Sequence, residues 1–203
     1  MKRYAFCLLA LLSLLSFSRP AQAQSIDTTT YVVPQVWRID FLGLGVLHEI
    51  RLGKRTTLNS GFHFVAQTKA AGGVRFQDPN QTYFSYQVLP VLQSGVRYFY
   101  NFDRRLQKGK SIRYNSGNYL SGRLAYAFSP ILERYDAGPL DNMSGLGVEA
   151  LWGFQRTYRR NFYLNLSLGL GVYGSRPERS PIQGAGDFTL GYTFPNKRGN
   201  GNK

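Results

Sequence analysis

The sequence has little cysteine and little histidine, and it has no long apolar run beyond residue 17. Its one cysteine, Cys7, lies in a segment that we predict to be cleaved off, so the mature chain has neither disulfide bonds nor a thiol nucleophile. Two histidines without a cysteine leave no common zinc ligand set, and we expect neither a metal nor a cofactor. Because the mature chain has no apolar run of about 18 residues, the sequence excludes a membrane-spanning helix there.

The N-terminal segment has the three parts of a Sec signal peptide. Lys2 and Arg3 form a basic region, residues 6–17 are apolar, and Ala21 and Ala23 frame a small-residue cleavage site. Cleavage after Ala23 leaves 180 residues, which suits one domain. The alternative is a short anchor left in place. We therefore expect an exported protein with a folded domain over residues 24–194 and a disordered basic tail over residues 195–203.

The clearest structural pattern is an alternation of apolar and small or polar residues over residues 162–174. One face carries Phe162, Leu164, Leu166, Leu168, Leu170 and Val172, and the other carries Tyr163, Asn165, Ser167, Gly169 and Gly171. Soluble sandwich strands usually have only about 5 or 6 residues. An alternation of this length, with one wholly apolar face, is typical of a transmembrane strand.

The same alternation recurs along the chain and predicts an all-β fold. Five further long strands are predicted over residues 57–68, 84–102, 118–128, 145–158 and 187–194. Residues 32–52 predict two shorter strands, broken at residues 43–45, and this assignment places His48 on the lipid face. Single-chain bacterial barrels have an even number of strands. We therefore predict an eight-stranded antiparallel up-and-down transmembrane β-barrel in the outer membrane of a Gram-negative bacterium.

The connections between the predicted strands alternate in length. Residues 53–56 and 156–161 are short, residues 103–116 are intermediate, and residues 67–83, 129–144 and 175–186 are long. In outer-membrane barrels the short turns face the periplasm and the long loops face outward. Both chain termini would then lie on the periplasmic side.

The positive charge is concentrated on the predicted short turns. The chain carries +14, and loss of the signal peptide lowers this to +11. We expect the basic rim to consist of Lys54, Arg55, Arg104, Arg105, Lys108, Lys110, Arg113, Arg159 and Arg160. Such a rim attracts anionic surfaces. We expect outer-membrane lipid headgroups as the partner, with peptidoglycan as an alternative, and lipopolysaccharide if the topology is inverted. Export argues against nucleic acid, and we expect a monomer.

Charged residues also occur at positions predicted to point into the barrel. We expect a lumen ion-pair network made of Asp40, Glu49, Arg51, Arg97, Arg123 and Glu149. An eight-stranded barrel is just wide enough for side chains to fill it, and buried charges must pair. This composition favours a plugged barrel with a structural or surface-interaction role over a small channel.

Two other function classes remain open at this point. A lipid-modifying enzyme would need His63 as a base toward a serine nucleophile. However, the nearest serine, Ser60, has the opposite parity and would point into lipid. A soluble lipocalin-like carrier would need apolar residues pointing inward. We therefore expect no enzymatic activity.

Four short stretches carry a resemblance to a known family. They are GVLHEIRLG at residues 45–53, RYFY at 97–100, GNYL at 117–120 and GFQ at 153–155. With these, the chain resembles the small, mostly uncharacterised outer-membrane β-barrel proteins of Bacteroidota. The resemblance implies a barrel and the outer membrane and implies no activity. The last strand ends at Phe194, which looks like the aromatic-ended signal read by barrel-assembly machinery, and nine residues follow it.

Overall fold

A computed structural model describes residues 31–42, 44–72, 82–138, 140, 144–174 and 182–194. The predicted signal peptide and the predicted basic tail lie outside these residues. The described chain is all-β, with nine antiparallel strands in one sheet. The strands are β1 (Gln35–Asp40), β2 (Gly45–Arg51), β3 (Thr56–Gly72), β4 (Thr82–Phe99), β5 (Gly117–Ala127), β6 (Leu132–Tyr135), β7 (Gly145–Thr157), β8 (Phe162–Tyr173) and β9 (Gln183–Phe194).

Eight of the strands hydrogen-bond into a closed ring. Leaving β6 aside, each strand pairs with its neighbour in the chain, and β9 returns to pair with β1 through Trp37 opposite Phe194 and Asp40 opposite Gly191. The predicted antiparallel order of eight strands is thereby confirmed. The predicted boundaries were too short at the long-loop end, where β3 runs on to Gly72 and β9 already begins at Gln183.

The ninth strand, β6, corrects the prediction of a plain loop over residues 129–144. Like β5, it pairs antiparallel with β4. It uses the part of β4 that lies beyond the end of β5. Ala127 lies opposite Val91 whereas Leu132 lies opposite Val88, so two extra residues bulge out between the two strands. Pro130 lies in this bulge and has no N–H to donate to a ladder. A four-residue strand behind a bulge is too short for alternation to reveal it.

Alternation along the strands sends polar residues to the inside of the ring and apolar residues to the outside. The interior side chains of Arg38, Glu49 and Asn59 are at most 1% exposed. In contrast, Leu168 and Leu170 on the outer face are each 58% exposed. This polarity is the reverse of that in a soluble protein, where large apolar side chains are mostly buried.

One end of the ring is closed by the segment between β4 and β5. The predicted strand over residues 84–102 ends at Phe99, and Phe102 instead begins the short helix α1 (Phe102–Gln107). Phe102 is fully buried and stacks on Phe99 with ring centroids 5.0 Å apart, in a cluster with Val32 and Tyr119. We call this the short-turn end and the opposite one the long-loop end.

Within the described residues, no helix has both the length and the apolarity needed to cross a membrane.

Candidate functional site

The interior of the ring holds a fully buried ion pair near the short-turn end. Arg38 Nη1 on β1 lies 2.5 Å from Glu49 Oε2 on β2, and both side chains are 0% exposed. The Thr57 hydroxyl donates to the other Glu49 oxygen at 2.7 Å. Arg38 also lies over the Tyr163 ring, 4.5 Å from its centroid, and donates to the Tyr114 carbonyl oxygen. The two charges are therefore paired and further hydrogen-bonded, as buried charges require.

A glutamine connects this pair to a second arginine, since the Gln155 amide donates to Glu49 Oε2 at 3.4 Å. Gln155 donates to the backbone carbonyl of Asn115 at 2.8 Å, in the segment that closes the short-turn end. Its amide oxygen accepts a 2.8 Å hydrogen bond from Arg97, whose guanidinium lies 4.7 Å from the Tyr119 ring centroid. The amide and the aromatic face thus provide Arg97 with partners.

A second charged cluster lies farther toward the long-loop end. Arg123 on β5 forms ion pairs with Glu149 on β7, at 2.5 Å, and with Asp187 on β9. The Tyr173 hydroxyl donates to Glu149 at 2.8 Å. The Asn165 amide donates to Asp187 at 2.9 Å. Four strands are thereby joined across the interior by side chains.

The two clusters form one continuous network. The Tyr119 hydroxyl donates to the Asn165 amide oxygen at 2.7 Å, and the Tyr119 ring faces Arg97. Hydrogen bonds and ring contacts therefore run from Arg38 to Asp187 through the middle of the ring. Such a network restrains the interior side chains where its members are satisfied, whereas Arg38 Nε and Arg97 Nε have no hydrogen-bond partner among the described residues.

The structure places all six predicted interior charges on the inward side of their strands, and three of them form ion pairs. Glu49, Arg123 and Glu149 form ion pairs. Arg97 pairs with an amide rather than a carboxylate among the described residues. Asp40 is buried beside Arg38, and Arg51 is half-buried at the short-turn end. Neither of them forms an ion pair within the described ranges.

Sequence reasoning missed Arg38 and Asp187 as members of this network. Arg38 has the same parity as Asp40, and Asp187 has the same parity as Thr189, so the alternation carried the signal for both. The predicted strand over residues 187–194 starts at Asp187 and so places it at the edge of the preceding long loop. The actual strand begins four residues earlier, which places Asp187 within the ring.

The histidines lie on opposite faces of the sheet. His63 on β3 shares the inward parity of Asn59, whereas Ser60 points outward and hydrogen-bonds the Ser94 hydroxyl at 3.0 Å. Ser60 and His63 are therefore not placed as nucleophile and base. His48 lies outside and stacks on Trp37, 4.0 Å between ring centroids. Among the described residues, no group of three or more His, Cys, Asp or Glu side chains is placed to hold a metal ion.

The nine residues of the predicted basic rim all lie at the short-turn end, in the three turns that join β2 to β3, β4 to β5 and β7 to β8. Arg55 forms an ion pair with Asp103 and lies 4.9 Å from the Tyr31 ring centroid. Hydrogen bonds from Tyr31 and Arg55 hold the pKa of Asp103 below its usual range. Arg113 donates to Asn161 at 2.9 Å and so connects two of the turns.

Most of the basic rim keeps its charge unneutralised. Within the part of the chain that the structure describes, eight of its nine cations form no ion pair: Lys54, Arg104, Arg105, Lys108, Lys110, Arg113, Arg159 and Arg160. This end of the ring therefore presents a positive surface with many hydrogen-bond donors.

No family model, no curated protein and no solved structure matches the chain. Its function therefore has to be inferred from the geometry of the ring and of its two ends.

Proposed function

We propose that the protein is a monomeric eight-stranded β-barrel of the outer membrane, with a side-chain-filled lumen and a structural or surface-interaction role. The observation that carries this proposal is the reversed polarity of the ring. Arg38 and Glu49 are completely buried inside it, whereas Leu120, Leu124 and Leu168 are 54–58% exposed on its outer face. Contact of this outer surface with water would be unfavourable. Monomeric soluble proteins rarely expose large contiguous apolar patches. The acyl chains of a lipid bilayer provide an apolar environment that suits this face.

The distribution of residues on the outer face supports contact with a membrane rather than with a partner protein. Aliphatic residues such as Leu166 and Leu168 occupy the middle of β8. Aromatic side chains are common near the ends, including Trp37 and Tyr98 at the short-turn end. Aromatic girdles on both sides of an apolar band are characteristic of outer-membrane barrels. The strands β5, β7, β8 and β9 have 11–13 residues, enough for the roughly 9–11 that a tilted strand needs to cross.

The packing of the interior supports a plug rather than a channel. Phe99, Tyr119 and Tyr163 point inward and are at most 2% exposed, and Arg38 contacts both the Tyr163 ring and Glu49. We expect single-channel recordings of the refolded protein to show no stable conductance. Reproducible open levels would contradict the plug and support a pore.

The direct test is to express the protein with its own N-terminal segment and to determine in which cell fraction it is found. We expect the mature chain, starting at Gln24, in the outer-membrane fraction, soluble only with detergent. The folded form should migrate differently from the boiled form in gel electrophoresis. A monodisperse protein that stays soluble without detergent would refute the proposal.

A further inference from the structure

A cleft lies at the short-turn end, at the border between the basic rim and the apolar outer face. It is lined by Tyr31, Lys54, Arg55, Thr56 and Tyr98 and has a volume of about 430 Å³. That volume falls within the roughly 300–1,000 Å³ of sites for small molecules. The cleft is therefore large enough for a headgroup.

The position of the cleft follows from the strand register. Thr56 and Tyr98 are cross-strand partners at the first residue of β3 and point to the outer face. Tyr98 is 47% exposed there. Lys54 and Arg55 immediately precede Thr56 in the turn from β2 to β3. Two hydroxyl groups at the edge of the apolar surface thus lie next to two cations at the rim.

The chemistry of the lining suits a phosphate. An ammonium group, a guanidinium group and hydroxyl groups all donate hydrogen bonds. Among the described residues no acidic side chain lines the cleft, and Asp103, the partner of Arg55, lies outside the lining. Arg55 is held in place by the Tyr31 ring and by its ion pair with Asp103. Lys54 forms no ion pair among the described residues, so its charge is free to meet an anion. Charge-assisted hydrogen bonds to phosphate are roughly twice as strong as neutral ones.

We propose that this cleft binds the phosphate group of a membrane phospholipid whose acyl chains lie along the adjoining outer face. The inference rests on the proposed membrane location, since only a lipid presents phosphate and apolar chains together at that border. A free phosphate would use the donors and leave the apolar surface beside Tyr98 uncovered. Tyrosine is also favoured at the headgroup level of membranes, where one end of the ring is apolar and the other polar.

The test is a titration of the folded, detergent-solubilised protein with phosphatidylglycerol, followed by native mass spectrometry. We expect Lys54→Gln and Tyr98→Phe each to raise the apparent Kd about three- to tenfold, because each removes one hydrogen-bond donor to the phosphate. Tyr98→Phe keeps the ring, and therefore separates the lost hydroxyl from lost packing. Lys108→Gln is the matched control, because it removes one exposed cation from the same end, away from the cleft. It should change the Kd less than twofold.

Three results would overturn the site. Equal weakening by Lys54→Gln and Lys108→Gln would show that the rim attracts lipid only through its overall charge. Glycerol 3-phosphate that binds as tightly as phosphatidylglycerol would show that acyl chains contribute nothing, which contradicts a lipid occupant. Failure of the protein to insert into bilayers would refute the proposed function instead, whereas unchanged lipid affinity in both cleft variants would refute only this site.

Discussion

Arg38 and Glu49 form an ion pair diagonally across β1 and β2, with Arg38 opposite Leu47 and Glu49 opposite Val36 in the register. Both side chains point into the ring, so neither charge has access to water. Removal of one partner would therefore leave the other buried and unpaired, which costs far more than the loss of a surface ion pair.

We expect Arg38→Met to destabilise the folded protein by about 3–5 kcal/mol. The double variant Arg38→Met/Glu49→Leu should regain much of that loss, because it leaves no buried charge without a partner. Urea titrations of the protein refolded in lipid vesicles measure both effects. Arg134→Met is the control, since its ion pair with Asp136 is exposed and should contribute only about 0–1 kcal/mol. Equal losses for Arg38→Met and Arg134→Met would contradict a buried network.

The outer face can be tested at Leu168, near the middle of β8. We expect Leu168→Arg to destabilise the inserted protein by about 2–4 kcal/mol, because a charge near the bilayer midplane is costly. Leu168→Met keeps the face apolar and should be nearly neutral. Yield of the heat-modifiable form after refolding reports the difference. If the arginine variant inserts as well as the methionine variant, Leu168 does not contact lipid.

Two glycines offer a matched test of interior packing. A Cβ atom at Gly153 would lie 2.6 Å from the Tyr119 ring and 2.7 Å from the Leu166 carbonyl oxygen. At Gly122, on the outer face, a Cβ atom would meet no atom of the described residues within 4 Å. We expect Gly153→Ala to cost about 1–3 kcal/mol through overpacking and Gly122→Ala to be neutral or stabilising, as measured in the same urea titrations. A neutral Gly153→Ala would mean that Tyr119 does not fill the interior at this level.

The orientation in the membrane can be read from cysteine labelling, because the predicted mature chain contains no cysteine. Lys108 lies at the short-turn end and Asp136 at the long-loop end, and both are exposed. With intact cells, a membrane-impermeant thiol reagent should label Asp136→Cys and spare Lys108→Cys. The reverse labelling would invert the barrel and turn the basic rim toward lipopolysaccharide.

Local periodicity accounts for most of what the sequence reveals about this ring. Whether Leu168 points outward and Asn165 inward depends only on the two-residue repeat of an extended strand. The structure places both as predicted, with Leu168 58% exposed and Asn165 2% exposed. The same repeat placed Arg97, Arg123 and Glu149 inside the ring. The length of the connections separated the two ends and brought the basic rim to one of them.

Partner choice inside the ring required the tertiary structure. Glu49 pairs with Arg38 rather than Arg97, and Asp187 joins Arg123, because register and strand boundaries decide which inward side chains meet at one level. Phe102 leaves the strand pattern for a helix because it packs on Phe99 and closes the end of the ring. By itself, the sequence determined which face and which end most strand residues occupy, since these depend on local spacing. The contacts between distant strands were decided only by closure of the ring, since residues as far apart in the chain as Arg123 and Asp187 meet only when all eight strands are in place.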